Sequence, residues 1–152
     1  MSCWDAIMGL PAQHDSGRWF NLPHPVTGAA SGVELLVAGP AGMIARAAQW
    51  GLLDALAAAQ TDAAAIPAAA RERLRLDALA AHMLGWRGEG MPAFTPSEAR
   101  RALGASKYLS DFVDAAVGST LHNLPEVNRG PTGGDALEAM AATLRAQAEG
   151  GA

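Results

Sequence analysis

The chain has 152 residues, 11 Lys/Arg against 15 Asp/Glu for a formal charge of −4, and an apolar half made largely of alanine. That length suits one compact domain with tails, and the acidic balance with dispersed basic residues excludes a phosphate-neutralising nucleic-acid surface. The single cysteine, Cys3, excludes an internal disulfide or a thiolate metal cluster, and without a signal-like start or a run of about 20 apolar residues the chain is expected to be cytoplasmic.

In chain order, residues 1–17 read as an N-terminal arm, with Trp4, Ile7, Met8 and Leu10 as its apolar content and Pro11 ending any short helix. Residues 18–125 read as a single α+β domain, mostly α: a small N-terminal β-hairpin followed by a bundle of about four helices. The hairpin strands are Trp19–Leu22, broken by Pro23, Pro25 and Gly28, and Val33–Val37, bounded by Gly32 and Gly39. A two-stranded hairpin is marginal alone, so it must lie on the helices or pair with another molecule.

Residues 40–60 have helical spacing, with Met43, Ala47, Trp50, Leu53 and Ala57 close to one face. A second long helix runs from Pro67 to Leu84 with an apolar stripe of Leu76, Leu79, Met83 and Trp86, ended by Gly85 and Gly88. Thr95-Pro96-Ser97-Glu98 is a capping box opening a short helix that stops near Gly104. Ser106 caps the next helix, whose face holds Leu109, Phe112, Val113, Ala116 and Thr120, closed by Leu124-Pro125. Residues 126–134 form a Gly/Pro linker. Residues 135–152 form a tethered C-terminal tail in which Asp135 and Glu138 cap a helix with the stripe Leu137, Met140, Ala141, Leu144. A helix of that length is marginal in water, so it either docks on the domain or is held ready for a partner.

Catalytic chemistry is not visible. His14, His24, His82 and His122 show no i,i+4 pair and no neighbouring carboxylate cluster, so no metal and no cofactor is expected. His82 reads as a helix flank, and His122 as a residue at a helix C-terminus where the dipole favours a cation. Gly39-Pro-Ala-Gly42 lacks the Lys-Ser/Thr of a nucleotide loop and reads as a strand-to-helix turn. Arg71, Arg73 and Arg75, interrupted by Glu72, read as a solvated face. An enzyme is not expected. Trp50, Trp86, Phe94 and Phe112 sit on apolar stripes and read as core, whereas Trp4 and Trp19 are candidates for a partner surface.

Trp19-Phe20-Asn21-Leu22, His24-Pro25-Val26-Thr27-Gly28 and Val33-Glu-Leu-Leu-Val-Ala-Gly39 come in the order found at the start of a phage protein family. Leu84-Gly85-Trp86, Phe94-Thr95-Pro96-Ser97-Glu98-Ala99, Tyr108-Leu109, Asp111-Phe112-Val113 and Asn123-Leu124 follow in that family's order. Over residues 19–124 the chain resembles the tail assembly chaperones of long-tailed phages and prophage-like elements. It departs at Pro40-Ala41-Gly42, where such proteins often carry Asp-Ser, and so lacks a cap for the first long helix.

The resemblance implies a protein partner, the tape-measure protein and with it a tail-tube subunit, in the host cytoplasm during phage or prophage expression. It implies no catalytic residues. The candidate partner-binding residues are Trp4, Trp19, Val33, Leu35, Val37, Leu137, Met140 and Leu144. The strand Val33–Val37 serves the alternative of a structural virion component, a homo-oligomer paired strand to strand. A small host-directed inhibitor is the third reading.

Overall fold

The computed structural model describes residues 2–59 and 66–124. They form an α+β fold, mostly α, in the order α1 (Cys3–Ser16), β1 (Arg18–Pro23), β2 (Ala30–Val37), α2 (Met43–Ala59), α3 (Ala68–His82), β3 (Met83–Arg87), α4 (Pro96–Ala105) and α5 (Lys107–Val117), closed by a 3-10 turn, Thr120–Asn123. The predicted linker 126–134 and the capped tail with Leu137, Met140 and Leu144 lie outside the described residues.

The predicted arm is a helix. Ser2 and Asp5 form a reciprocal capping box: the Asp5 backbone donates to Ser2 Oγ at 3.1 Å, and the Ser2 backbone donates to the Asp5 carboxylate at 3.2 Å. The Ser2 hydroxyl and backbone bonds hold the Asp5 carboxyl below its ordinary pKa. Pro11 does not end the helix, contrary to expectation. The last turn continues through it to Ser16 because Gln13, His14 and Asp15 are each anchored to distant parts of the chain.

The hairpin forms as predicted, with Phe20 opposite Leu35 and Leu22 opposite Val33. The sheet nevertheless has three strands, in the antiparallel order β1-β2-β3. Met83 to Trp86, expected as the end of a helix, is the third strand. The cause is a bulge. Val37 pairs with Met83, Leu36 with Gly85 and Leu35 with Trp86, so Leu84 is an extra residue on β3. The bulge places Met83 and Trp86 on one face of the sheet three residues apart, the same spacing a helix would give.

Phe20, Leu35, Val37 and Met83 face the helices and meet Leu76 and Leu79 of α3, Ala99 and Leu103 of α4, and Val113 and Ala116 of α5. Phe94, packed edge-to-face on Trp86 at 5.1 Å, and Phe112 border this core as expected. Thr95 caps α4 by accepting from the Glu98 backbone at 3.1 Å. The Glu98 carboxylate turns to Arg101 at 2.6 Å instead of completing the box, and the helix runs on to Ala105. Ser106 caps α5 by accepting from the Leu109 backbone. That helix ends at Val117, and Thr120 belongs to the 3-10 turn.

The missing cap of α2 is supplied from outside the helix. Asp15 of α1 accepts from the Met43 backbone at 3.1 Å and from the Ile44 backbone at 2.9 Å. Gly42 makes room, since a Cβ there would lie 2.2 Å from Asp15 Oδ1. Asp15→Ala is therefore expected to cost about 1–2 kcal/mol, and Asp15→Asn only part of that. Urea denaturation of both variants checks it, and equal losses would show that the carboxylate does not act as a cap.

Candidate protein-docking surface

A polar clasp holds α1 and the start of α2 to the body. His14 is buried, accepts at Nδ1 from the Ala41 backbone at 2.9 Å, and lies with Nε2 2.9 Å from Asn123 Oδ1. That pairing assigns the Nε2–H tautomer. Its ring stands 5.5 Å from that of His122, which in turn packs on Phe20 at 5.3 Å. His122 donates Nε2–H to the Ala116 carbonyl at 2.7 Å.

Burial pushes the pKa of His122 below the ordinary histidine value, and the hydrogen bond to the Ala116 carbonyl only partly opposes it. His122 is thus a buried neutral ring, not the helix-terminal cation expected. His82, expected as a flank, is also buried, with Nδ1 2.9 Å from the Ala78 carbonyl. Gln13 Nε2 donates to the carbonyls of His122 and Leu124, each at 2.7 Å, and Arg18 donates to Leu124 at 2.8 Å.

The clasp fixes the inner ends of two helices and leaves their outer faces bare. On α1, Trp4 (67% exposed), Ile7 and Met8 share one face at i, i+3 and i+4. On α2, Met43, Trp50 (57% exposed) and Leu53 line an outward stripe, and no residue in the whole helix is buried. The expectation that Trp50 is core is overturned. Between α2 and α3 lies a groove of about 250 Å³, lined by the small residues Ala48, Gly51, Ala55, Ala78 and Ala81 together with Leu52, Leu74 and Asp77.

The other predicted partner residues are placed differently. Val33, Leu35 and Val37 lie on the central strand, whose two edges are taken by β1 and β3. Leu35 and Val37 are buried and Val33 packs against the core, so the proposed strand pairing between molecules has no free edge on β2. Trp19 lies on the sheet face away from the helices, half-buried beneath the Arg87 guanidinium, 3.8 Å from the ring centroid, while Arg87 also pairs with Glu34 at 3.1 Å. Of the predicted residues that lie among the described ones, only Trp4 belongs to the bare face. Trp50 reads as core from sequence because its spacing, shared with Leu53, shows a face but not whether anything covers it.

A second cleft, about 470 Å³ between α3, α4 and α5, is lined by Glu72, Arg75, Lys107 and Asp111. These charges pair among themselves: Arg75 with Glu72 at 2.9 Å and with Asp114 at 3.1 Å, Lys107 with Asp111 at 2.5 Å. Among the described residues no group of His, Cys, Asp or Glu could hold a metal ion. No described helix is long and apolar enough to cross a membrane. The chain matches no protein-family model, no curated protein and no solved structure.

Proposed function

We propose that this chain is a phage tail-morphogenesis factor of the tail-assembly-chaperone kind, which holds the tape-measure protein through the outer face of α1 and α2. The observation that carries the docking part is α2 itself: seventeen residues, none buried, with Trp50 and Leu53 facing outward. Exposed tryptophan and methionine beside an apolar groove suit a helical client laid lengthwise, with its apolar face anchored at helical spacing. The motif order of residues 19–124 supports the choice of client. The task is binding rather than catalysis, performed in the host cytoplasm before tail-tube subunits arrive. The rival reading as a virion subunit built by β2 pairing lacks a strand edge to use.

Co-expression with the tape-measure protein encoded nearby tests this by solubility and co-elution. The long protein is expected to be rescued into a soluble complex. Trp50→Ala with Leu53→Ala is expected to weaken that complex about 30-fold or more while changing fold stability by about 0.5 kcal/mol or less. If the wild-type chain elutes alone and its companion stays insoluble, the client assignment is wrong.

A further inference from the structure

We propose that this chain pairs with a second copy of itself, α2 crossing α2 about a two-fold axis that passes beside Trp50. The pairing uses the face assigned above to the client but does not rest on that assignment.

The observations lie on one row of side chains. Arg46, Trp50 and Asp54 follow one another in four-residue steps, so they form a single ridge on α2, inclined about 26° to its axis. All three are exposed. Arg46 and Asp54 are the only charged residues of α2, and neither enters an ion pair among the described residues. The ridge therefore carries a positive charge at one end, a negative charge at the other and an indole midway between them.

Such a ridge is complementary to itself turned end for end. When two copies of α2 cross at about 50° from antiparallel, their four-residue ridges run in line with each other. A two-fold axis at right angles to the ridges then sets Arg46 of each copy against Asp54 of the other, and it brings the two Trp50 rings together at its centre. Leu53 meets its own copy on one side of the axis, and Ala47, small and exposed, meets its own copy on the other and leaves space for the indoles to lean into. A parallel pairing sets Arg46 on Arg46 and Asp54 on Asp54, so charge selects the antiparallel crossing. This symmetry is what points to a second copy, because an unrelated helix has no need of opposite charges placed evenly about one ring. A single pair of crossed helices falls below the roughly 1,200 Å² of standard interfaces, so the dimer is weak and reversible, with a Kd of about 10 μM or more.

Sedimentation equilibrium of the full chain without client, between about 5 and 500 μM, tests this. The wild-type chain is expected to pass from monomer to dimer in that range and to stop at two. Arg46→Glu makes the ridge wholly negative and Asp54→Arg makes it wholly positive. Each alone should weaken the dimer about tenfold or more, because both contacts across the axis turn repulsive. An equimolar mixture of the two variants should pair again, to within about threefold of wild type, because each copy then meets the opposite sign. Both positions are exposed, so the urea midpoints of the dilute variants should stay at the wild-type value. A monomer at every concentration, growth beyond a dimer, a dimer that the two charge reversals do not weaken, or variants that mixing does not rescue overturns the proposal. A dimer without capture of the tape-measure protein removes the client reading alone, and capture by an otherwise monomeric chain removes this one alone.

Discussion

Gly39→Ala is expected to lower stability by about 3–5 kcal/mol, although it adds one methyl group. A Cβ at residue 39 would lie 2.5 Å from His14 Nδ1, 2.6 Å from His122 Cγ and 2.8 Å from His122 Cβ. Both rings are fully buried, so neither can swing into solvent to make room. Overpacking of this kind costs about 1–3 kcal/mol. Moving His14 also removes its bonds with Ala41 and Asn123, at about 1 kcal/mol each, and leaves their polar groups short of a partner. The sum is a large part of the roughly 5–15 kcal/mol that holds a domain together. Gly51→Ala is the internal control. A Cβ there meets nothing within 4 Å, and the site is an exposed helix interior. The same substitution should therefore stabilise by about 0.5–1 kcal/mol. Urea denaturation of the two variants settles it, and two small effects of the same sign would mean that the histidine rings do not pack against Gly39.

Leu35→Ala should cost about 3–4 kcal/mol, independently of protein concentration. Leu35 is 1% exposed on the central strand, with Phe20 opposite it on β1 and Trp86 opposite it on β3. The substitution removes buried methyl groups and leaves a cavity between two aromatic rings that cannot collapse freely. Denaturation midpoints at several protein concentrations distinguish this from an interface role. A loss that grew on dilution would return β2 to the pairing surface that its sequence suggested.

Local signals in the sequence were the dependable ones. Thr95 and Ser106 do cap their helices, because a cap needs only a side-chain oxygen and an amide a few residues on. Trp19–Leu22 and Val33–Val37 do pair, because β-rich runs bounded by Gly and Pro have few other uses. Apart from the Thr95–Glu98 box, left half-made because Glu98 pairs with Arg101, the errors came from partners distant in sequence. Asp15 caps a helix that begins at Met43, and no local pattern announces a cap offered from another element. Pro11 is tolerated because the turn beyond it is held by residues 122–124. The β3 bulge gave Met83 and Trp86 a helical spacing on a strand. The bare face of α2 was legible only as a face, since a sequence shows amphipathicity without showing what stands opposite. Its low charge, two ionised side chains in seventeen residues, marks it as a surface needing cover, but marks a core helix equally well.

The clasp also sets the order of events during synthesis. The bonds from Gln13, His14 and Arg18 to residues 122–124 bridge 109, 111, 109 and 106 positions of chain. Contacts of such separation form late, because the whole intervening loop must be closed before they repay its entropy. Of the described helices, α1 leaves the ribosome earliest and finds its seat last. At fourteen residues it is too short to hold itself together meanwhile. Asp15 cannot be aimed at the start of α2 until that seat exists, so the outer face of the two helices is completed last. A nascent chain has no finished face to offer, and capture of any partner there begins only once the body of the protein has closed.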